Sequence, residues 1–398
     1  MEIIDRPIYT NQIRPYIGRN IIKVLTGQRR VGKSFILKKI EEEVRARDAE
    51  ANVITINLED FAFAHITDAQ ALHAEIAARV KPEKKNYIFL DEIQEVGDFD
   101  KVVRSLIMDE NNDVYVTGSN STMLSSEIAT RLAGRSIEIR VHPLSYVEFM
   151  EFHKRGDSDE TLQLYLQYGG LPYLKNLPDR ETWREYLNSV TSAIVYRDVV
   201  SRNALRNNDF LQRLLNFLSD NIGRLFTAKK ISDYLKSQQM KVNVASVQTY
   251  VDYIERAYIL NKVSRWDIEG KRYFEIGEKI YFEDMGIRNA IVGYRPQDIG
   301  GIIENVVYNH LRIMGYEVKI GSLGQGKEID FIAEKNGERK YIQVATTIMS
   351  EETAEREFGN LELVEDNYEK IVVTFNDSFP NTRNGIKAMG LREFLTGN

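Results

Sequence analysis

The feature that most constrains this chain is the segment Gly27-Gln28-Arg29-Arg30-Val31-Gly32-Lys33-Ser34, set between an apolar run, Ile21–Leu25, and an amphipathic stretch, Lys33–Arg47. Glycines at its ends let backbone N–H groups curl around a phosphate chain, and the helix that follows offers its positive N-terminus to the same anion. Lys33 is placed to neutralise the β and γ phosphates and Ser34 to ligate magnesium. Gly27, Arg29, Arg30, Val31, Gly32, Lys33 and Ser34 are therefore the expected phosphate-binding residues, with ATP and Mg2+ as the ligands. A strand feeding a helix through such a loop belongs to an α/β fold.

The surrounding pattern agrees. Short apolar runs at Ile21–Leu25, Val53–Leu58, Tyr87–Leu90, Val114–Thr117 and Ile137–Val141 alternate with helical stretches at Lys33–Arg47, Asp68–Val80, Phe99–Asp109 and Met123–Leu132. That is the signature of a parallel sheet with covering helices. After Pro143 helical periodicity dominates, through Tyr146–His153, Leu162–Tyr168 and Trp183–Val200, interrupted at Gly169-Gly170-Leu171-Pro172. Helices at Phe210–Asn221, Ala228–Leu235 and Ala245–Ala257, followed by a hairpin-like basic stretch at Lys271-Arg272-Tyr273-Phe274, have the order of a winged helix-turn-helix. A helix at Ile302–Met314, strands at Tyr316–Ile320, Glu328–Ala333, Lys340–Val344 and Lys370–Thr374, and a charged helix over Glu351–Val364 form a second α/β unit. The expected organisation is a P-loop core over 1–145, a helical bridge or lid over 146–207, a winged helix over 208–298 and a C-terminal domain over 299–398.

Two further elements point to chemistry at the loop. The strand Tyr87–Leu90 ends in Asp91-Glu92, where Asp91 would position the metal and Glu92 would act as general base on the attacking water. The strand Val114–Thr117 ends in Thr117-Gly118-Ser119-Asn120, which puts Ser119 and Asn120 where a γ-phosphate sensor would lie, or makes an ordinary turn. Arg131 and Arg135 flank Leu132-Ala133-Gly134, and Arg135 is the candidate for transition-state charge, in cis or across a subunit boundary, with a surface ion pair as the alternative. Glu92, Ser119 and Arg135 are thus the expected catalytic set, and Ser34 and Asp91 the expected metal ligands.

The order Gln28–Ser34, Leu90-Asp91-Glu92-Ile93-Gln94, Thr117-Gly118-Ser119, Leu132-Ala133-Gly134-Arg135 and Pro143-Leu144-Ser145 resembles the prokaryotic AAA-superfamily ATPases that carry a C-terminal domain of unknown function. Tyr196-Arg197-Asp198 and Tyr281-Phe282-Glu283-Asp284 resemble their connecting motifs. The resemblance implies ATP binding, and a winged helix followed by a restriction-endonuclease-like domain. Such domains place a glutamate on a first helix, an aspartate on a strand and Glu-x-Lys on the next. Here Glu304 and Glu328-Ile329-Asp330 match, but the third element reads Gln343-Val344-Ala345. An amide is a poorer magnesium ligand than a carboxylate and alanine brings no charge, so the nuclease motif is degenerate unless Lys340 or a lysine from elsewhere substitutes.

Composition limits the partners. The formal net charge is −6, so nucleic acid must be met by a local patch. Residues 208–275 hold 11 basic and 8 acidic side chains, a small excess, with Lys229, Lys230, Lys236, Lys241, Lys262, Arg265, Lys271 and Arg272 as candidate phosphate contacts. Cysteine is absent, which excludes disulfides and thiolate zinc sites and fits a reducing compartment. No run approaches the roughly 18 apolar residues of a membrane span, so a cytoplasmic location is expected. The expected function is a magnesium-dependent ATPase whose nucleotide state moves the winged helix and an inactive nuclease-like domain. If Arg135 acts in trans the protein must assemble as a homo-oligomer. The alternatives are a slow ATP-gated switch that holds DNA or a protein partner, and an ATP-dependent nuclease.

Overall fold

The computed structural model describes residues 4–121, 131–268, 270, 272–324, 326–347, 351–375 and 382–397. The chain divides into two compact units, one of Met1–Pro143 with Arg256–Tyr258 and one of Leu144–Glu255 with Ile259–Asn398.

The first unit is built on strands β1 (Ile22–Thr26), β2 (Asn52–Asn57), β3 (Asn86–Asp91), β4 (Asn112–Gly118) and β5 (Ser136–Arg140). They pair in the order β2-β3-β4-β1-β5, all parallel. Such a sheet is covered on both faces, which is why its strands read as near-continuous apolar runs. Every residue of β1, β3 and β4 is buried. Helices Lys33–Arg47, Ala69–Ala77 and Phe99–Leu106 lie where periodicity placed them, and Leu72, Ile88, Val103 and Val114 share one core. The expected helix Met123–Leu132 lies outside the described residues except for its last two. Since β4 is inserted between β1 and β3, the C-terminal ends of all three meet at one sheet edge, with Gly27, Glu92 and Ser119 following them directly.

Further back in the same sheet, Lys23 of β1 and Asp113 of β4 form an ion pair with no exposure on either side chain. Asp113 also accepts the Gly18 N–H at 2.7 Å and the Tyr115 hydroxyl at 2.8 Å. Burial pushes the Lys23 ammonium below its usual range, against the opposing pull of Asp113.

The second unit opens with helices Tyr146–His153, Asp159–Tyr168 and Arg180–Ile194, the last running into a π-helical turn, Val195–Ser201, that holds Tyr196-Arg197-Asp198. Helices Asn208–Asp220, Ala228–Ser237 and Val244–Arg256 follow. Its strands are β6 (Leu225–Phe226), β7 (Leu260–Asp267), β8 (Arg272–Phe282), β9 (Glu317–Ser322), β10 (Glu328–Lys335), β11 (Glu338–Ala345), β12 (Glu369–Thr374), β13 (Thr382–Arg383) and β14 (Ile386–Gly390). Together they form one mixed sheet, β13-β14-β12-β11-β10-β9-β7-β8-β6. The join is a short parallel pairing of β7 with β9, Arg265 beside Ile320 through Asp267 beside Ser322. The β7–β8 hairpin is therefore continuous with the C-terminal strands.

Asp284 ties two of the motifs together. Its carboxylate caps helix Met285–Val292 through the Ile287 N–H at 3.0 Å and accepts the Gly170 N–H at 2.7 Å. A Cβ on Gly169 would fall 2.3 Å from Asp284 Oδ1, and one on Gly286 2.2 Å from the Tyr168 carbonyl, so the close approach requires glycine at both positions. Burial pushes the Asp284 carboxyl up to about 6 despite these backbone donors.

Two stability measurements follow. Asp113→Ala strands a buried ammonium and is expected to cost about 3–5 kcal/mol in denaturant unfolding. Adding Lys23→Met should recover part of that loss; an equal loss in both variants would show that the ammonium is not its source. In the second unit His310 is 7% exposed and its Nδ1 has no hydrogen-bond partner among the described residues. Burial lowers its pKa to about 4. The folded state thus favours the neutral ring, and that contribution is present above pH ~6.5 and lost as pH falls through about 4. The stability of wild type relative to His310→Leu should shrink by up to about 3 kcal/mol between about pH 7 and pH 4; parallel pH profiles would refute this.

Candidate functional site

The loop after β1 takes its shape from three backbone positions in the left-handed region, Gly27 (φ +138), Arg30 (φ +69) and Gly32 (φ +98). At Gly27 the chain passes so close to the residue after β5 that a Cβ would lie 2.1 Å from the Val141 carbonyl oxygen. Gly32 is the N-cap of helix Lys33–Arg47 and contributes no side-chain cap. The start of the helix is consequently not occupied by a capping side chain, which leaves room there for an anion. Val31 is buried and its carbonyl accepts from Arg6 at 2.9 Å. Arg30 is exposed. Arg29 donates to Glu59 at 2.9 Å and stands 3.9 Å from Glu95.

Lys33 donates to the carbonyls of Gly27 and Gln28, each at 3.0 Å, and its ammonium is 4.0 Å from Glu92 Oε1. Asp91 ends β3 and Glu92 follows it. The Ser34 side chain hydrogen-bonds Asp91, and burial raises the Asp91 carboxyl above its usual range, with Thr117 and Ser34 pulling the other way. A hydroxyl and a carboxylate side by side are the hard oxygen donors that magnesium takes, so these residues fit the expected ion.

Thr117, near the end of β4, holds both acids. Its hydroxyl donates to Asp91 Oδ1 at 2.5 Å and accepts the Glu92 N–H at 2.9 Å. Glu92 itself sits in the left-handed region at φ +55, a conformation that costs a non-glycine residue about 1 kcal/mol or more and that this hydrogen bond helps to hold. Gln94 Nε2 donates to Glu92 Oε2 and to Ser119 Oγ, the latter at 3.3 Å. Burial pushes the Glu92 carboxyl up, but Lys33, Gln94, Arg29 and Ser119 outweigh it and leave it below the usual range. Ser119 and Asn120 are both buried at this edge.

The structure therefore brings together Gly27, Gly32, Lys33, Ser34, Asp91, Glu92 and Ser119. It does not bring Arg135. Ser136 lies beside Ile22 in a parallel pairing, so Arg135 is at the edge where the strands begin, opposite the loop, and it is exposed. The in-cis reading of Arg135 is corrected on that ground. Arg131 pairs with Asp100 at 3.3 Å. Thr117 and Gln94 are hydrogen-bonded neighbours of these groups to which the sequence pattern assigns no role. Their signal is nevertheless there, a threonine near the end of a buried strand and a glutamine two positions after the second acid.

In the second unit Glu304 is on helix Ile299–Ile313 and Asp330 on β10, and the Gln343 side chain of β11 accepts the Asp330 backbone N–H at 3.3 Å. Ala345 ends β11 without a polar group, and Lys340 pairs with Glu369 at 3.1 Å, away from the acids. Lys279 of β8 stands between Glu304 and Asp330. Several candidate nucleic-acid contacts are already matched: Lys229 and Lys236 with Asp233, Lys262 with Asp252 and Glu255, Arg265 with Glu328. Lys271 lies outside the described residues. Among the described residues no helix is long and apolar enough to cross a membrane.

Comparison with known proteins places these features in context. An AAA-domain family model matches residues 19–150 and a domain of unknown function (DUF8612) matches residues 159–298. An uncharacterised protein of Haemophilus influenzae is 35% identical over 381 residues, 94% of this chain and 93% of the other. An uncharacterised protein of Methanocaldococcus jannaschii is 31% identical over 379 residues, 90% of this chain and 83% of the other. Among solved structures, the Walker-type ATPase of Pyrococcus abyssi is similar in fold, with a TM-score of 0.51 and 16% identity, covering 72% of this chain and 95% of that one. The parallel five-stranded core is that of a P-loop NTPase, and the chain belongs to the family of its Haemophilus and Methanocaldococcus relatives, with an AAA domain over residues 19–150.

Proposed function

We propose that this chain is a magnesium-dependent ATPase. The observation that carries the reading is the convergence of Lys33, Ser34, Asp91, Glu92 and Ser119 on one sheet edge, with Thr117 holding both acids. Lys33 exchanges its contacts with the Gly27 and Gln28 carbonyls for the β and γ phosphates, while the loop N–H groups take the remaining oxygens. Ser34 and Asp91 hold magnesium, which would offset the charge of the phosphates. Glu92, kept ionised by Lys33 and its hydrogen-bond donors, accepts a proton from the attacking water. Ser119 contacts the γ-phosphate, and Gln94 sets the position of the Glu92 carboxylate. Arg135, at the far edge of the sheet, meets a γ-phosphate only on another copy of the chain, so its role in this proposal requires assembly.

Residues 208–298 are read as a winged helix and residues 299–398 as an endonuclease-like domain that does not cut. Local pairing of Lys229, Lys236, Lys262 and Arg265 weakens the case for a DNA contact there. A second reading, a slow ATP-gated switch, draws support from the engagement of Glu92 by Gln94, because an occupied carboxylate oxygen is a poor base until it is released.

Phosphate release by the purified chain tests the main reading. Lys33→Ala should abolish both ATP binding and release, whereas Glu92→Gln should retain ATP and lose about 10²–10⁴-fold in turnover. Absence of release from wild type, with or without DNA, would overturn hydrolysis. Turnover far below one per second with a partner retained in one nucleotide state would favour the switch. Gln94→Leu removes a donor that keeps the Glu92 carboxyl low, so the acidic limb of the kcat profile should move to higher pH while KM changes little. An unmoved limb would show that Gln94 only packs.

A further inference from the structure

We propose that Lys279 supplies the cation for the Glu304–Asp330 pair, so that a residue of the chain takes the place of a divalent metal ion there. This rests on the reading of the C-terminal strands as endonuclease-like, and it is independent of the ATPase reading. The Lys279 Nζ lies 3.0 Å from Glu304 Oε1 and 3.2 Å from Asp330 Oδ1. One ammonium thus touches one oxygen of each carboxylate, the bridging position that an ion would need if both were its ligands. The lysine side chain is 7% exposed and the two acids 16% and 12%.

Two further donors meet the cluster from within the fold. Tyr281 donates its hydroxyl to Glu304 Oε1 at 2.6 Å, and the Val344 N–H donates to Asp330 Oδ2 at 3.0 Å. The Gln343 amide spends its oxygen on the Asp330 N–H and donates through Nε2 to Glu357 at 3.0 Å. Its oxygen is thus already engaged, and an amide oxygen is a weaker ion ligand than a carboxylate. Glu328, the other acid of the β10 motif, is paired with Arg265 at 3.0 Å. Magnesium demands close to six oxygens at about 2.1 Å, whereas an ammonium is satisfied by about three acceptors at hydrogen-bond distance. The described side chains suit the second requirement better than the first.

The pair is also hemmed in on one side. At Gly223, φ +70, a Cβ would lie 2.9 Å from Glu304 Oε2, so the backbone itself runs over this carboxylate. A catalytic lysine of a nuclease must face a scissile phosphate beside a metal. Lys279 instead lies between the two acids, with its strand paired to β6 and β7. Its position on β8 explains why no Glu-x-Lys spacing could reveal it.

The test is Mn2+ binding by the full-length chain without nucleotide, followed by electron paramagnetic resonance, in wild type, Asp330→Asn, Lys279→Ala and Lys279→Ala/Asp330→Asn. Wild type and Asp330→Asn should bind Mn2+ alike, because the acid pair holds no metal. Lys279→Ala should gain one equivalent of Mn2+ at least about tenfold tighter than wild type, accompanied by a rise in Tm, and the added Asp330→Asn should abolish both. If Lys279→Ala does not fold, Lys279→Met carries the same comparison. A wild-type Mn2+ site lost in Asp330→Asn would overturn the proposal, as would a folded Lys279 variant that gains no ion. Mn2+-dependent cleavage of DNA by wild type, lost in Lys279→Ala, would make the lysine catalytic and overturn it equally.

Discussion

Because β4 lies between β1 and β3, the Thr117 hydroxyl reaches both acids that close β3, and the geometry of the phosphate edge follows from that contact. One hydroxyl serves as donor to Asp91 and acceptor from the Glu92 backbone. The first fixes a carboxylate beside Ser34, and the second supports a left-handed residue whose side chain stands near Lys33. If β3 were the neighbour of β1, no side chain of β4 could stand between the loop and the acids. Strand order is in this sense a chemical variable, since it decides which third group shares the site.

Buried charge is handled in two ways within this chain. In the first, Lys23 and Asp113 form a fully enclosed pair whose attraction must offset the loss of water around both groups. At the phosphate edge, by contrast, two acids stand near Lys33, which is engaged chiefly by carbonyl oxygens. Such an edge is poised for cationic and anionic ligands together. The C-terminal cluster resembles the first case more than the second, with an ammonium already in place between its carboxylates.

What is legible in the sequence is local. Lys33–Arg47 and Tyr146–His153 lie where periodicity puts them, and in the structure Ser145 and Glu148 form a capping box for the latter. The phosphate loop and the Asp91-Glu92 strand end are legible because each is a contiguous pattern. Arg135 misleads because a helix end says nothing about which edge of the sheet it adjoins; only the Ile22–Ser136 register does. Gln94 sits within a recognisable motif yet shows no role there, since its contact with Ser119 depends on β3 and β4 being neighbours. Lys279 is unreadable for the same reason at longer range. Its partners are 25 and 51 positions away, one brought by a helix that Asn305 bonds to the end of β8 and the other through the pairing of β7 with β9.

That pairing has a consequence for how the hairpin behaves mechanically. A wing that projects from a small domain has one free edge and can bend or slide along a groove. Here β7 is bonded to β9 on one side and β8 on the other, and β8 continues to β6. Amides at the centre of such a ladder exchange with solvent only when a large cooperative block opens. The hairpin is therefore a spine and not a finger: force applied to its tip is passed into the C-terminal strands.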